Sequence, residues 1–401
     1  MSFRVAIVGA GLGGLAAALF LRARGIDVSV YEQGKTFQDV GAGIIVAPNM
    51  VRPLQRLGIA AGLDDFAVRL DHAWEFRRWR DGRLIASTPM REACVRLYGA
   101  PCYVAHRADL RSFFRRHLPD GVIHLDRRCT AVKNEGDRAA LEFQSADGAA
   151  HRVEADAVIA ADGIRSVLRG KVAVEDPPRF SGLCAFRCLV PAERAPEMAR
   201  RPTQTLWLGP RHHLVHYPIS SGKLVNVVAI APAGEWRSES WTADGEIDDL
   251  LREFAGWDQS VHQLLSSATQ TKRWAAFDRA PLEHWTAGRV ALLGDAAHAM
   301  LPFLAQGAAQ CVEDAEVLAA VLAEAGPAAV EVALQRYEAL RRPRANEVLI
   351  GSRGREIQNH LPDGPEQEAR DARLASGDPL HQFGWLYGET EAERTVVTRA
   401  L

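Results

Sequence analysis

Features that are scarce in this 401-residue sequence exclude several classes of protein. Cysteine occurs only six times, with no CxxC pair and no histidine cluster at zinc-finger spacing: Cys94, Cys102, Cys129, Cys184, Cys188 and Cys311. We expect scattered free thiols, because a disulfide framework or a structural metal site requires a denser pattern. The shortage also favours a reducing compartment.

The sequence also lacks an excess of charge of either sign. Lys and Arg number 48 against 50 Asp and Glu, which gives a formal charge of −2 at pH 7. No bulk positive field is available for a nucleic-acid partner. Hydrophobic residues at 47% and charged residues at 24% are ordinary for a globular chain with a substantial core. The length suggests two or three domains, or one core with a sizeable insertion.

A long uninterrupted hydrophobic segment is missing as well. The stretch Val5–Leu21 carries no charge, but four glycines break it, one basic residue precedes it and no credible cleavage site follows. A signal peptide is therefore not predicted, and we expect a cytoplasmic protein with no membrane partner. The sequence contains no internal repeat and no low-complexity tract.

The first thirty residues predict a βαβ unit with a nucleotide-binding turn. Arg4–Val8 is a short apolar run typical of a buried strand, and Gly9, Gly11 and Gly14 follow it in GxGxxG spacing. Such glycines permit a tight turn, a close approach of pyrophosphate and close packing of helix on strand. Glu32 ends the next predicted strand, where a carboxylate can bind ribose hydroxyls. The motif predicts a dinucleotide site but does not separate FAD from a nicotinamide cofactor.

Two further buried strands end in short acidic motifs. Ala157–Ala161 leads into Asp162-Gly163, and Val290–Leu293 leads into Gly294-Asp295. A strand-rich block from about residue 180 to residue 231 lies between them. The pattern favours one discontinuous α/β domain with an inserted β-rich domain. Without further context, both aspartates could equally be helix N-caps.

Taken together, the motifs resemble those of the single-component flavin-dependent aromatic hydroxylases. They are GAGLGG, His106-Arg107-Ala108-Asp109-Leu110, ADGIRS, GDAAHAMLPFLAQGA and Arg341-Arg342-Pro343, and they extend over nearly the whole chain. This group includes the p-hydroxybenzoate, salicylate, 3-hydroxybenzoate and 6-hydroxynicotinate monooxygenases.

The resemblance implies an α/β fold with a Rossmann-like, GR2-type FAD-binding domain, an inserted mixed β-sheet substrate domain and a C-terminal helical segment. The expected limits are residues 1–70, 100–178 and 275–355 for the FAD-binding domain. Residues 71–99 and 179–274 would form the substrate domain, and residues 356–401 the C-terminal segment. A homodimer is expected at the level of the family only.

The resemblance also implies a set of residues around FAD. They are Gly9, Gly11, Gly14 and Glu32 at the ADP half, Arg107 along the flavin, Asp162 near FAD and the nicotinamide donor, Asp295 at the ribityl or pyrophosphate region, and Gly307 and Ala308 at the flavin pyrimidine. A helix N-terminus at Gly307 would favour the negative charge that reduced flavin carries.

The implied reaction uses NAD(P)H and O₂ to hydroxylate a small aromatic substrate through a flavin C4a-hydroperoxide. A hydroxylated aromatic acid such as salicylate is the first expectation. Hydroxylation or epoxidation of a larger aromatic natural product is the alternative within the group. A flavin- or NAD-binding protein without turnover is the alternative of another class.

Candidate catalytic groups lie in the predicted strand around His212–Tyr217. Alternation places His212 and His216 on one face and His213 and Tyr217 on the other. The 6-hydroxynicotinate enzymes are similar in having a His matching His212 and a Tyr matching His216, so we expect the first face to line the pocket, although these histidines could also be surface residues. A neutral imidazole suits acceptance of a phenolic proton.

The loop after the second acidic motif adds one more candidate and one departure. Pro302 resembles the proline whose carbonyl lies near substrate and flavin, although it could be a simple loop residue. His298 is expected to be structural. Ile45 and Phe303 stand where the 6-hydroxynicotinate enzymes carry histidines, which makes the pocket more apolar and favours a benzenoid substrate over a pyridine.

Overall fold

The computed structural model describes residues 3–37, 42–174, 176–234 and 242–399. Twenty strands lie within these residues. They are β1 (Arg4–Val8), β2 (Asp27–Tyr31), β3 (Gly43–Val46), β4 (Val68–Arg69), β5 (Ala73–Arg78), β6 (Leu84–Pro89), β7 (Tyr103–His106), β8 (Ile123–His124), β9 (Arg128–Glu135), β10 (Arg138–Gln144), β11 (Ala150–Ala155), β12 (Ala157–Ala160), β13 (Arg179–Pro191), β14 (Thr203–Gly209), β15 (His212–Ile219), β16 (Leu224–Pro232), β17 (Thr242–Gly245), β18 (Thr271–Asp278), β19 (Thr286–Ala287) and β20 (Val290–Leu292).

Fifteen α-helices lie within the same residues. They are α1 (Leu12–Ala23), α2 (Pro48–Arg56), α3 (Arg91–Tyr98), α4 (Arg107–Arg116), α5 (Arg169–Val172), α6 (Glu197–Arg200), α7 (Ile247–Glu253), α8 (Gln259–Ser266), α9 (Asp295–His298), α10 (Gly307–Ala325), α11 (Val330–Asn359), α12 (Pro365–Ser376), α13 (Pro379–Gln382), α14 (Gly384–Tyr387) and α15 (Glu391–Arg399). Short 3-10 turns occur at Ala60–Asp65, Pro302–Leu304 and Pro327–Ala329.

A six-stranded sheet carries the nucleotide-type elements, in the order β19-β20-β12-β1-β2-β8. All neighbours in it are parallel except the edge pair β19–β20. Its central strands are continuous apolar runs because they are buried: α1 packs on β1 and β2, and strands β10 and β11 pack against β12 and β1. Helix α1 packs between this sheet and α10. The strands that the sequence predicted at the beginning, middle and late part of the chain are therefore neighbours.

An eight-stranded sheet forms the second layer, in the order β17-β18-β13-β16-β15-β14-β5-β6. Every neighbouring pair is antiparallel except β14–β5. One face is covered by α7 and α8, which pack Leu250, Phe254 and Leu264 against Trp207 and Leu214. The α/β prediction with an inserted mixed sheet is confirmed. Two three-stranded antiparallel sheets, β11-β10-β9 and β3-β7-β4, complete the strand structure.

The expected C-terminal helical segment is confirmed. Helix α11 continues to Asn359, and the chain beyond it contains α12, which packs on β6. The Tyr98 hydroxyl donates a hydrogen bond to the carbonyl of Leu380, which brings together two segments far apart in sequence. The domain limits themselves stay a prediction.

No single helix in the described ranges is both long and apolar enough to cross a bilayer. Only the pair Gly307–Ala325 and Pro327–Asn359, which is bent by 106°, has the required length and composition when its two parts are taken together.

A buried charge network joins α10, α11 and α15. Arg341 is fully buried and donates hydrogen bonds to Asp314 (2.8 Å), Glu313 (2.8 Å) and the Glu393 carboxylate. Arg344 adds a second bond to Glu313 at 2.7 Å. Burial alone would raise the pKa of Asp314, but the charges of His298 and Arg341 outweigh it and lower the pKa. Asp314 and Arg341 therefore stay ionised in the core and depend on one another.

We expect Arg341→Met to lower the free energy of unfolding by about 3–5 kcal/mol, because it leaves buried carboxylates without their cation. The matched control is Arg336→Met, whose 2.7 Å pair with Glu324 lies at the surface, with an expected loss of about 1 kcal/mol or less. Urea unfolding of both variants measures the difference. Equal losses would show that the network contributes no more than a surface pair.

Candidate active site

A cavity of about 370 Å³ lies where the glycine loop, the two acidic motifs and the eight-stranded sheet meet. Its nucleotide side is formed by Gly11, Arg107, Asp295, Gly307 and Ala308, among others. Its sheet side is formed by these residues: Arg187, Gln204, Leu206, His213, Val215, Tyr217, Val228 and Ile230. The structure thus brings distant parts of the chain to one enclosed space.

The three motif glycines have different physical reasons to be glycine. A Cβ on Gly9, whose φ is +102°, would lie 2.4 Å from the carbonyl oxygen of Ala161, and a Cβ on Gly14 would lie 1.9 Å from that of Gly9. Both positions therefore require glycine, because the neighbouring backbone leaves no room for a side chain. A Cβ on Gly11 would meet nothing within 4 Å, because this residue faces the cavity. Gly11 leaves open the space that a pyrophosphate would occupy.

Glu32 has a structural role within the glycine loop. Its two carboxylate oxygens accept hydrogen bonds from the backbone N–H groups of Ala10 (2.9 Å) and Gly34 (2.8 Å). Glu32 is not among the residues that line the cavity. Each carboxylate oxygen can still accept a second bond, so the contact with a ribose stays a prediction.

The two acidic motifs differ in what their aspartates contact. Asp162 accepts a hydrogen bond from the N–H of Val167 (2.9 Å) through Oδ2, while its buried Oδ1 has no partner in the part of the chain that the structure describes. Burial raises the pKa of Asp162, against the opposing effect of its hydrogen bond with Ser166. Asp295 is exposed to the cavity beside Arg107. It is the first residue of α9, whose N-cap is Gly294, so the N-cap alternative does not describe Asp295.

The N-terminus of α10 opens into the cavity. Gly307 and Ala308 are its first two residues, and the first N–H groups of a helix have no acceptor within the helix. Together with the helix dipole they make a site for negative charge. The preceding Gln306 is held by the Asn49 amide, which donates to its side-chain oxygen at 2.8 Å. Gly11, Asp295 and this helix end line the cavity and fit FAD, whereas Asp162 is not among the lining residues, so its contact with the cofactor stays a prediction.

The prediction that the His212 and His216 face of β15 lines the pocket is wrong. The structure confirms the alternation along the strand, but His213, Val215 and Tyr217 line the cavity. His212 and His216 point to the opposite face, which α7 and α8 bury. His212 contacts the Glu253 carboxylate at 3.0 Å. The ring nitrogens of His216, which is 1% exposed, have no hydrogen-bond partner among the described residues. Neither histidine reaches the cavity, because helix packing on that face leaves only the other one open.

His213 is paired with a histidine that the sequence analysis missed. Its Nδ1 shares a 2.6 Å hydrogen bond with Nε2 of His360, the residue that caps α11. Burial lowers the pKa of His213 well below its ordinary value and that of His360 to about 4. Both imidazoles are therefore neutral near pH 7. Because the two histidines are 147 positions apart, no local pattern could indicate the pair.

Arg187 is a second residue that was missed. It lines the cavity and stacks over the ring of Trp274, with 4.7 Å between the guanidinium carbon and the ring centroid. It forms no ion pair with a carboxylate of the described residues. Burial lowers its pKa, with a smaller opposing effect of Tyr217. An arginine between buried residues in the alternation of β13 was the available signal.

The loop after α9 supplies the remaining wall. Pro302 and Phe303 line the cavity, and so does Ile45 from β3. Phe303 also belongs to an apolar cluster with Ile230 and Leu301. His298 lies outside the cavity, fully buried, with Nε2 2.6 Å from Asp314. Ile45 and Phe303 therefore both present apolar surface to the cavity.

Comparison with known proteins places this geometry in context. Residues 2–352 match the family model described as "FAD binding domain". The chain is 45% identical over 389 residues to a 3-amino-4-hydroxybenzoate 2-monooxygenase of Streptomyces platensis, covering 96% of each chain. Among solved structures, a salicylate hydroxylase substrate complex has a TM-score of 0.82 at 28% identity, covering 100% of this chain and 98% of the other. Klebsiella pneumoniae HpxO with FAD and uric acid has a TM-score of 0.84 at 27% identity, covering 99% and 97%.

Substitutions at two glycines separate cofactor binding from folding. We expect Gly11→Val to raise the dissociation constant of FAD at least about tenfold, a change of about 1.4 kcal/mol, while the stability of the FAD-free protein stays nearly unchanged. Gly14→Ala should instead destabilise the FAD-free protein by about 1–3 kcal/mol through overpacking against Gly9. Flavin fluorescence titration and thermal unfolding measure the two effects. Normal FAD affinity in Gly11→Val would contradict the placement of the cofactor.

Proposed function

This chain belongs to the FAD-binding-domain family of flavin-dependent aromatic monooxygenases, and from that membership we propose that it hydroxylates an aromatic acid bearing a ring hydroxyl. NAD(P)H would be the reductant and O₂ the source of the oxygen atom. The relative that acts on 3-amino-4-hydroxybenzoate supports an amino-hydroxybenzoate as the first substrate to examine. Salicylate is the second.

The observation that carries this proposal is the shared cavity. A nucleotide cradle and a sheet face with four polar side chains, Arg187, Gln204, His213 and Tyr217, open into the same cavity, whose other walls are largely apolar. Bound FAD, once reduced, supplies the activation of O₂ and the transfer of one oxygen atom to the ring. The glycine loop, Arg107, Asp295 and the N-terminus of α10 are the residues that would hold it. Apolar walls exclude water from such a reaction.

The polar side chains of the sheet face match the groups of the proposed substrate. Arg187 lacks a carboxylate partner among the described residues and offers a cation to the acid group. His213 has Nε2 left for the cavity, since Nδ1 contacts His360. Tyr217 stays protonated because burial raises its pKa, so its hydroxyl can donate a hydrogen bond. A ring held by these three groups would lie between the sheet and the end of α10.

The proposal is tested by turnover with a panel of aromatic compounds. The FAD-loaded protein should oxidise NAD(P)H faster in the presence of 3-amino-4-hydroxybenzoate or a related hydroxybenzoate, and release a product one oxygen atom heavier. Hydroxypyridines and larger polycyclic aromatics belong in the same panel. Stimulated oxidation without any oxygenated product from the whole panel would overturn the proposal.

We expect Arg187→Met to raise KM for the aromatic acid about 10- to 100-fold, because a charged hydrogen bond is worth about 1.5–3 kcal/mol. The same variant should bind an analogue without the carboxyl group as well as the parent protein does, and should retain FAD. Arg77→Met is the matched control, since Arg77 stacks on Trp207 on the opposite face of the same sheet. Steady-state kinetics with both ligands measure the effect. Equal losses for the two ligands would contradict a carboxylate contact.

Two further predictions accompany the proposal without support from the fold. A homodimer and a cytoplasmic location are expectations from the resemblance and the composition. Size-exclusion chromatography and cell fractionation test them.

A further inference from the structure

The buried pair His213–His360 connects the cavity to the surface. His213 is 3% exposed and lines the cavity, whereas His360 at the end of α11 is half-buried. Their ring centroids are 4.8 Å apart, and both rings contact Phe303 edge-on at 5.4 and 5.9 Å. The carbonyl of His360 accepts a 3.0 Å hydrogen bond from the N–H of Arg211, just before β15. The geometry of the pair is therefore fixed by three elements.

A single buried imidazole at this position would be a poor proton acceptor. Burial disfavours the charged ring, and the charges of His360, Arg355 and His212 act in the same direction on His213. His212 does the same to His360. A proton taken from a substrate hydroxyl could not remain on His213 without a large cost. It must either stay on the substrate or be passed on.

Resting on the proposed function, we propose that His213 and His360 form a two-imidazole proton exit from the substrate hydroxyl to solvent. The O–H bond of the hydroxyl breaks as a bond to Nε2 of His213 forms. The Nδ1–H of His213 breaks as Nε2–H of His360 forms, and the Nδ1 proton of His360 leaves to water. The products are a bound phenolate and a hydrated proton. Both imidazoles are neutral before and after.

His360 acts through His213 and is therefore a positioning residue that also carries the proton onward. A role limited to packing would be served equally by a phenyl ring in contact with Phe303. A role limited to orienting His213 would be served by an amide that hydrogen-bonds Nδ1. Only a proton exit requires a group that can take up one proton and release another. Variants can separate these three roles.

The experiment follows ionisation of a bound hydroxybenzoate in the oxidised, FAD-loaded protein after a rapid rise in pH, by stopped-flow absorbance. No turnover is required. We expect His360→Phe and His360→Gln both to slow ionisation about 10- to 100-fold, the range of one acid–base group. Affinity for the ligand should change by no more than about twofold. In His360→Ala, added imidazole should restore the rate in proportion to its neutral form.

The matched control is His284→Gln, at a histidine whose side chain is 72% exposed; its ionisation rate should equal that of the parent protein. A normal rate in His360→Gln, or the absence of imidazole rescue in His360→Ala, would overturn the proton exit. Failure of the parent protein to hydroxylate any compound would instead overturn the proposed function. The two failures are distinct, because ionisation of the ligand is measured in a complex that does not hydroxylate it.

Discussion

The cavity depends on one buried interaction, the contact of Arg341 with the carboxylates of α10. Oδ1 of Asp314 accepts a hydrogen bond from Arg341. Its Oδ2 contacts His298 and accepts a hydrogen bond from the N–H of Gly294 at 3.1 Å. The same carboxylate thus ties the long helices to the turn that presents Asp295. Glu313, one residue earlier, contacts Asn49, which in turn holds Gln306 at the start of α10. The position of the helix end that faces the cofactor follows from charges in the core, not from the cavity itself.

The eight-stranded sheet separates structure from chemistry by its two faces. One face is filled by the apolar side chains of α7 and α8, and His216 on that face is buried from solvent. The other face is left open to the cavity, and it carries His213, Tyr217 and Arg187. Because strand side chains alternate, a shift of one residue in β15 would exchange the two sets completely. The identity of the reactive face is therefore a property of the register, which the pairing of His213 with Ile230 fixes.

The sequence predicted the nucleotide half well because its signals are local. Gly9, Gly11 and Gly14 act within a single turn, and the buried strand before them is a continuous apolar run. The face of β15 could not be read in this way, since alternation gives two faces and only the packing of distant helices decides between them. His360 and Arg187 were missed for the same reason. His360 meets its partner only after the chain has folded. Arg187 stands out only because it forms no ion pair with a carboxylate of the described ranges.

Helix α11 contains Arg341 of the charge network and ends at Asn359, next to His360, so a single helix links the cofactor side of the cavity to its substrate side. The segments after Ser376 contact this helix. Arg344 donates hydrogen bonds to the carbonyls of Trp385, Leu386 and Gly388, and Arg341 to Glu393. A chain that ended after Ser376 would contain every strand of both large sheets, but Arg341 and Arg344 would lose these hydrogen-bond acceptors. Tolerance of the carboxyl terminus to trimming or fusion is thus governed by residues that lie behind the cavity wall.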